Sequence, residues 1–336
     1  MTAHQNWHIT GHEWAVEQLS RTLAYDRLRH AYLFTGPSGV GKTALAKAFA
    51  KAINCTSDDE RPCGKCRACK LIEADGHADV NLIEAQDRSL KIEQIRELGH
   101  TLALRPVEAR YRVVILEHFD DAQGPAQDAL LKTLEEPPPY VVLLLIAERL
   151  EKIVMTIRSR CQTLTLRPLP MVTVRAALEE RGIAAEKAAT LAALSGGRLG
   201  WALRASTDEK FLQDRANALD ALEGLIAADR VTRFRFAEQV AGDRERIPPL
   251  LAWWESYWRD VLLLTSSAQV GVTNRDHRHA LTQLAGALPV EDALAVLRAL
   301  ERTARYLEQY TNPRLTLETL MLDLPRYNLL PAPPGA

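Results

Sequence analysis

The chain has 336 residues, of which 47% are hydrophobic and 25% charged, too long for one ordinary core, so two or three globular domains are expected. A formal net charge of -1 excludes a protein that coats nucleic acid by bulk electrostatics, although a local basic patch stays open. Met1 to Asn6 lack a basic region followed by an apolar run, so no signal peptide is expected, and the longest purely apolar run, Val141 to Ala147, falls far short of a membrane span; the expectation is a soluble, cytoplasmic protein with no membrane partner.

Residues 7–27 place Trp14, Ala15, Leu19, Leu23 and Ala24 at near-helical spacing and predict one amphipathic helix. Ala31 to Thr35 then reads as a buried strand. Gly36-Pro37-Ser38-Gly39-Val40-Gly41-Lys42-Thr43 follows and fits G-x-x-x-x-G-K-[ST] at every position. The glycines let the backbone curl so that successive N–H groups point at a polyphosphate, Lys42 adds a mobile positive charge, and Thr43 offers a hydroxyl to magnesium. Lys42 to Ile53 has helical apolar spacing, which puts a helix N-terminus toward the phosphates. A glycine-rich turn that binds nothing is the plain alternative, disfavoured by the strand-loop-helix context.

Cys55, Cys63, Cys66 and Cys69 come next, spaced C-x7-C-x2-C-x2-C around Pro62-Cys63-Gly64-Lys65. The short C-x2-C steps suit tetrahedral coordination of zinc by four thiolates, which closes the shell and leaves no open position for catalysis. A disulfide pair is the alternative, disfavoured in a cytosolic setting.

Val80 to Glu84, Arg112 to Leu116 and Val141 to Ala147 read as further strands. Between them fall a helix from Lys91 to about Leu102 and another from Gln123 to Glu136, the second stopped by Pro137-Pro138-Pro139. This alternation implies a parallel, doubly wound sheet with a ligand at the C-terminal ends of its strands. From Pro168 on only helical patterns remain: Val172 to Glu180, Ala184 to Leu194, Leu199 to Arg204, and longer ones from about Asp208 to Leu324. Gly196-Gly197 reads as a hinge or cap, Ser206-Thr207 as a boundary, and residues 331–336 as a loose tail.

Several side chains carry weaker signals. Cys161 reads as buried packing at the start of an apolar strand. Trp253, Trp254, Tyr257 and Trp258 read as core or subunit interface rather than a base-stacking platform. Arg96, Arg105, Arg110 and Arg112, interleaved with Glu93, Glu97 and Glu108, read as a solvated mixed face rather than a DNA-facing surface.

The P-loop, the four-cysteine insertion after its helix, Leu131-Lys132-Thr133-Leu134-Glu135-Glu136-Pro137-Pro138 and Ser159-Arg160-Cys161 together resemble the bacterial clamp-loader branch of the AAA+ ATPases. The resemblance covers roughly residues 7–205. It implies an α/β P-loop AAA+ domain at 1–167, a parallel sheet with helices on both faces and a zinc module at about 54–72. A small helical lid domain at 168–206 and an all-α collar domain at 207–330 follow. By the same resemblance, the Asp-Glu pair that ends the third strand of a working AAA+ ATPase falls on Glu117 and His118. Glu117 can still meet magnesium, but His118 is a poor substitute for a carboxylate base. The polar residue that senses the γ-phosphate falls near Ala147-Glu148, and the phosphate-contacting arginine of the lid falls on Gly200, with Arg198 two residues away.

The family pattern therefore implies a stator-like subunit that binds ATP or ADP with magnesium through Gly36 to Thr43 and Glu117 and scarcely hydrolyses it. Its catalytic contribution is Arg160, offered in trans to a neighbour's ATP as an arginine finger; a surface salt bridge is the plainer reading. Implied partners are gamma/tau and delta subunits in a hetero-oligomeric ring, and through the ring the sliding clamp and primer-template DNA. An autonomous motor ATPase of the gamma/tau type is the alternative.

Overall fold

The computed structural model describes residues 5–57, 60–84, 90–268, 271–309 and 311–329. The expected tail at 331–336, the N-terminal Met1 to His4 and two residues of the cysteine module, 58 and 59, lie outside them.

Among the described residues, five strands form one parallel sheet: β1 (Ala31–Thr35), β2 (Val80–Ile83), β3 (Arg112–Leu116), β4 (Val141–Ala147) and β5 (Gln162–Thr165), in the order β2-β3-β4-β1-β5. Every residue of β1, β3 and β4 is buried, as continuous apolar runs covered on both faces must be. Edge strand β5 buries only Leu164, and its polar positions suit an edge. Among the described residues, the helices that accompany the sheet are α1 (Glu13–Ala24), α2 (Lys42–Asn54), α3 (Arg67–Glu73), α4 (Ile92–Leu102), α5 (Gly124–Glu135), α6 (Met155–Arg158) and α7 (Met171–Glu179). The core on one face joins Phe34, Leu45, Phe49, Ile115 and Ile146; the other joins Leu33, Ile95, Leu130, Leu143 and Ile157. Each such side chain, fully buried, contributes roughly 1.5–3 kcal/mol.

The first helix begins later than the spacing predicts. Residues 8–12 are not helical, and His8, Gly11 and His12 have positive φ. Trp7 is drawn away to stack on Phe49 of α2, ring centroids 6.2 Å apart, so its burial is satisfied by the P-loop helix rather than by α1.

The remaining helices are α8 (Ala185–Ser195), α9 (Leu199–Thr207), α10 (Glu209–Ala227), α11 (Arg230–Ala241), α12 (Ile247–Thr265), α13 (Arg278–Ala287), α14 (Val290–Glu308) and α15 (Pro313–Asp323). By packing the chain separates into two compact units. One holds the residues through Gly182 with Gly197–Ala202; the other holds Ile183–Gly196 and the residues from Leu203 on. In the second, α12 packs against α10, α13 and α14, and α11 against α15. Trp254, Tyr257 and Trp258 are fully buried there, and the Trp254 indole donates to Ala218 O at 2.9 Å; this cluster is core.

Arg233 on α11 is buried, and among the described residues it bonds carbonyls and no carboxylate. Its Nε donates to Leu225 O (2.8 Å), Nη1 to Met321 O (3.0 Å) and Leu324 O (2.7 Å), and Nη2 to Ile226 O (3.1 Å) and Pro325 O (2.8 Å). The guanidinium thus answers orphan carbonyls at the C-terminal ends of α10 and α15, where a cation also suits the helix dipoles. No single helix among the described residues is long and apolar enough to cross a membrane.

Candidate nucleotide site, metal centre and exposed arginine

The P-loop leaves the C-terminal end of β1 and enters α2. Gly36 has φ 137°, and a Cβ there would sit 2.2 Å from Leu166 O at the exit of β5, so no other residue fits. Lys42 is buried, and its Nζ donates to Gly36 O at 2.7 Å and Pro37 O at 2.9 Å. Burial lowers the pKa of this ammonium, opposed by the carboxylates of Glu148, Asp120 and Glu117. The Thr43 hydroxyl donates to Glu117 Oε1, bringing together a hydroxyl and a carboxylate of the kind that hold magnesium beside a P-loop. A curled loop at a helix N-terminus, a lysine folded onto it and this pair fit a magnesium nucleotide, which would be bound through its phosphates.

Around that loop the other expected positions are filled differently. His118 is exposed and caps the short 3-10 turn Phe119–Asp121 in a left-handed conformation, φ 51°. Asp120 is buried and accepts from Glu148 N–H and Arg149 N–H, both at 3.1 Å. Gly200 donates its N–H to Gly39 O at 2.8 Å, and a Cβ there would lie 3.0 Å from that oxygen. Arg198 instead lies over the Trp201 ring, 5.7 Å from its centroid.

Cys55 caps the end of α2 and Cys66 the start of α3, so the insertion is built directly on the P-loop helix. The Sγ atoms of Cys55, Cys63, Cys66 and Cys69 all lie within 4.8 Å of one another; a tetrahedral zinc with Zn–S near 2.3 Å asks for about 3.8 Å between sulfurs. Backbone N–H groups already point at the sulfurs: Cys63 to Cys55 Sγ (3.3 Å), Lys65 and Cys66 to Cys63 Sγ (3.4 and 3.3 Å), and Cys69 to Cys66 Sγ (3.4 Å). Burial works to raise the Cys66 thiol, but hydrogen bonds from Thr56 and Cys69 bring it down to about 6, while burial pushes Cys69 upward. Four thiols that are free cysteines and share one small volume fit a metal such as zinc, which would be a structural link between α2 and α3.

Arg160 follows α6. Its Nη1 donates to Thr156 O and its Nη2 to Glu135 Oε1, both at 2.9 Å, with about a third of the side chain exposed. Gln127, invisible as a functional position in the sequence, fixes the start of α6: its amide donates to Ala122 O (3.1 Å) and Lys152 O (3.0 Å), and its oxygen accepts from Val154 N–H (3.0 Å). The signal the sequence carries is its spacing, three residues before Leu130 and seven before Leu134, which puts a polar side chain on the buried face of the helix. Cys161 is buried packing, its thiol raised to about 12 by burial.

One arginine departs from the expected solvated face. Arg112 is buried, paired at 3.1 Å with the fully buried Asp79, and donates to the carbonyls of Thr101 and Arg105. Asp79 also accepts from the N–H groups of Val107, Glu108 and Ala109 at 2.8–2.9 Å. The pair fastens the α4–β3 connection and is unavailable to any surface.

Residues 11–170 match the family described as DNA polymerase III, delta subunit, and residues 209–325 its C-terminal counterpart, DNA polymerase III, delta subunit, C terminal. DNA polymerase III subunit delta' of Bacillus subtilis is 34% identical over 207 residues, covering 62% of this chain and 63% of that protein. Subunit tau/gamma of Haemophilus influenzae is 41% identical over 162 residues, 48% of this chain and 23% of that one. Subunit tau of Escherichia coli is 32% identical over 332 residues, 94% of this chain and 49% of that one. The chain thus spans less than two thirds of the length of each of these relatives. With a parallel sheet around a complete P-loop and a helical C-terminal part, the chain belongs to the DNA polymerase III clamp-loader family, in its delta prime and gamma/tau branch.

Proposed function

We propose that this chain is the delta prime-type subunit of a clamp loader, a stator that assembles with gamma/tau and delta subunits into a ring. In this reading Arg160 is an arginine finger for the neighbour's ATP, and the chain helps load a sliding clamp on primer-template DNA. Residues 1–167 form the AAA+ domain, 168–206 the lid and 207–330 the collar that holds the ring. The P-loop, with Thr43 and Glu117 at magnesium, binds ATP or ADP, and zinc on the four cysteines is structural.

The observation that carries the reading is a mismatch within one site. The phosphate loop is complete and Thr43 meets Glu117, yet by the family resemblance His118, Ala147-Glu148 and Gly200 fall where a motor activates water and grips the terminal phosphate. Binding machinery without turnover machinery suits a subunit whose contribution to hydrolysis is made next door.

The test is turnover by the purified chain beside turnover by the reconstituted assembly. The isolated chain is expected to hydrolyse ATP negligibly, and the assembly to lose DNA- and clamp-stimulated hydrolysis with Arg160→Ala while staying assembled. Motor-like turnover by the isolated chain, abolished by Lys42→Ala, would overturn the proposal in favour of an autonomous gamma/tau-type ATPase.

A further inference from the structure

We infer that the P-loop of this chain selects a nucleoside diphosphate over the triphosphate, and that Glu148 imposes the choice. The selection presupposes that the loop holds a nucleotide at all, as proposed above.

Ala147, the last residue of β4, is in register with Thr35, the last residue of β1, and the next residue after Thr35 is Gly36. Glu148 therefore leaves the sheet beside the first residue of the P-loop. Its backbone is pinned there by the 3.1 Å hydrogen bond to Asp120 Oδ1. Three carboxylates surround Lys42, but they are not equivalent. Asp120 is absorbed by two backbone N–H groups and by the Arg149 guanidinium at 3.7 Å, and Glu117 receives the Thr43 hydroxyl. The Glu148 side chain is exposed, and among the described residues no hydrogen bond or ion pair engages its carboxylate. Lys42 feels its charge but shares its single ammonium with Asp120 and Glu117, so this carboxylate leaves negative charge at the mouth of the loop.

In P-loop sites the backbone cradle and the lysine take the phosphates, and the metal held by the loop hydroxyl bridges the last two of a triphosphate. The terminal phosphoryl group of a bound triphosphate would therefore lie on the Thr43 and Glu117 side, toward the ends of β3 and β4. A neutral donor at the end of β4 would give that group a hydrogen bond. An ionised carboxylate has none to give and repels it. A diphosphate lacks the group in question and keeps the cradle, Lys42 and Thr43. At the start of α9, Gly200 has no side chain to offer that group, and its N–H is already bonded to Gly39 O.

The experiment uses the purified, nucleotide-free chain with magnesium and measures binding of ADP and of a non-hydrolysable ATP analogue by calorimetry. The expected result is diphosphate binding tighter by at least about tenfold, the size of one partly screened contact between like charges, and a gap that narrows as salt rises. Glu148→Thr and Glu148→Gln are expected to tighten the triphosphate analogue selectively and close the gap, and Lys42→Ala to weaken both ligands. Equal affinities in the unaltered chain, or a gap that persists in both Glu148 variants, would overturn the inference while leaving the nucleotide reading intact. Absence of binding by either ligand to any variant would overturn both.

Discussion

Glu135 at the end of α5 and Arg160 after α6 meet at 2.9 Å through Oε1 and Nη2, while Thr156 O holds the other terminal nitrogen of the same guanidinium. Two of the fork's corners are thereby fixed to elements that Gln127 ties together, and its position is set within this chain. If the proposed role in trans holds, Arg160→Ala cuts stimulated hydrolysis by the assembly by about tenfold or more, less than the roughly 10³ to 10⁵ of a single-site finger because other sites in a ring keep their own. Arg160→Lys rescues little, since lysine keeps the charge but lacks the planar fork. Unchanged stimulated turnover in an intact assembly would sink the role, as would a loss that merely follows dissociation.

The cysteine module is expected to carry about one zinc per chain, measured by elemental analysis of the purified protein. Cys66→Ser should lower that stoichiometry and loosen the insertion, seen as faster proteolysis between α2 and α3, while the sheet stays folded. Because thiolates are the ligands, metal affinity falls on acidification and binding releases protons. A protein that retains its fold and protease resistance with no metal under strong chelation would count against the site.

Asp79 is predicted to be a stability residue. Burial alone would raise its pKa, but the N–H groups of Glu108, Ala109 and Val107 and the Arg112 guanidinium hold it below the ordinary carboxylate value. A depressed folded-state pKa means that its contribution is present above about pH 3.9 and is lost as pH falls through the folded value. Asp79→Ala strands the Arg112 charge in the interior and should cost about 3–5 kcal/mol in denaturant unfolding. A cost under about 1 kcal/mol would refute this account, since it would equal an exposed pair.

His277 should give the helical unit the opposite pH dependence. Burial works against its protonation, but Glu223, whose Oε1 lies 2.8 Å from Nδ1, and Asp276 raise its pKa despite Arg215 nearby. The same Glu223 oxygen accepts from Tyr257 at 3.1 Å. A raised folded-state pKa means stability fully present below about pH 6.5 and lost as pH rises through the folded value. His277→Gln should cost roughly 1.5–3 kcal/mol at pH 6 and flatten the stability profile above it; an unchanged profile would show that His277 does not titrate with folding.

What could be read from the chain in advance was whatever is encoded locally. Each of β1 to β4 is a short apolar run with its own boundaries, and the phosphate loop and the cysteine steps are contiguous patterns, so their existence needs no knowledge of the rest of the chain. What could not be read depends on groups brought together from afar. Arg112 looks like one more surface cation until Asp79, 33 residues away, is known to lie beside it. Gln127 is a polar residue on a buried face until Lys152 O and Val154 N–H arrive. The late start of α1 has the same origin, because Trp7 answers to Phe49 and not to its own neighbours.

Arg233 sets an order of events during synthesis. Three of its five acceptors, on Met321, Leu324 and Pro325, are separated from it by 88 to 92 residues, and a guanidinium buried without them would be an uncompensated charge. While the ribosome has not yet released the residues around Pro325, α10 and α11 cannot close into their final packing, whereas the P-loop unit already has every strand of its sheet. The chain would thus present a finished P-loop half and an open helical half, a window in which the surfaces destined for the helical core are accessible to chaperones, and a force-sensing translational arrest series should register two separate folding steps, the second only after Pro325 has emerged.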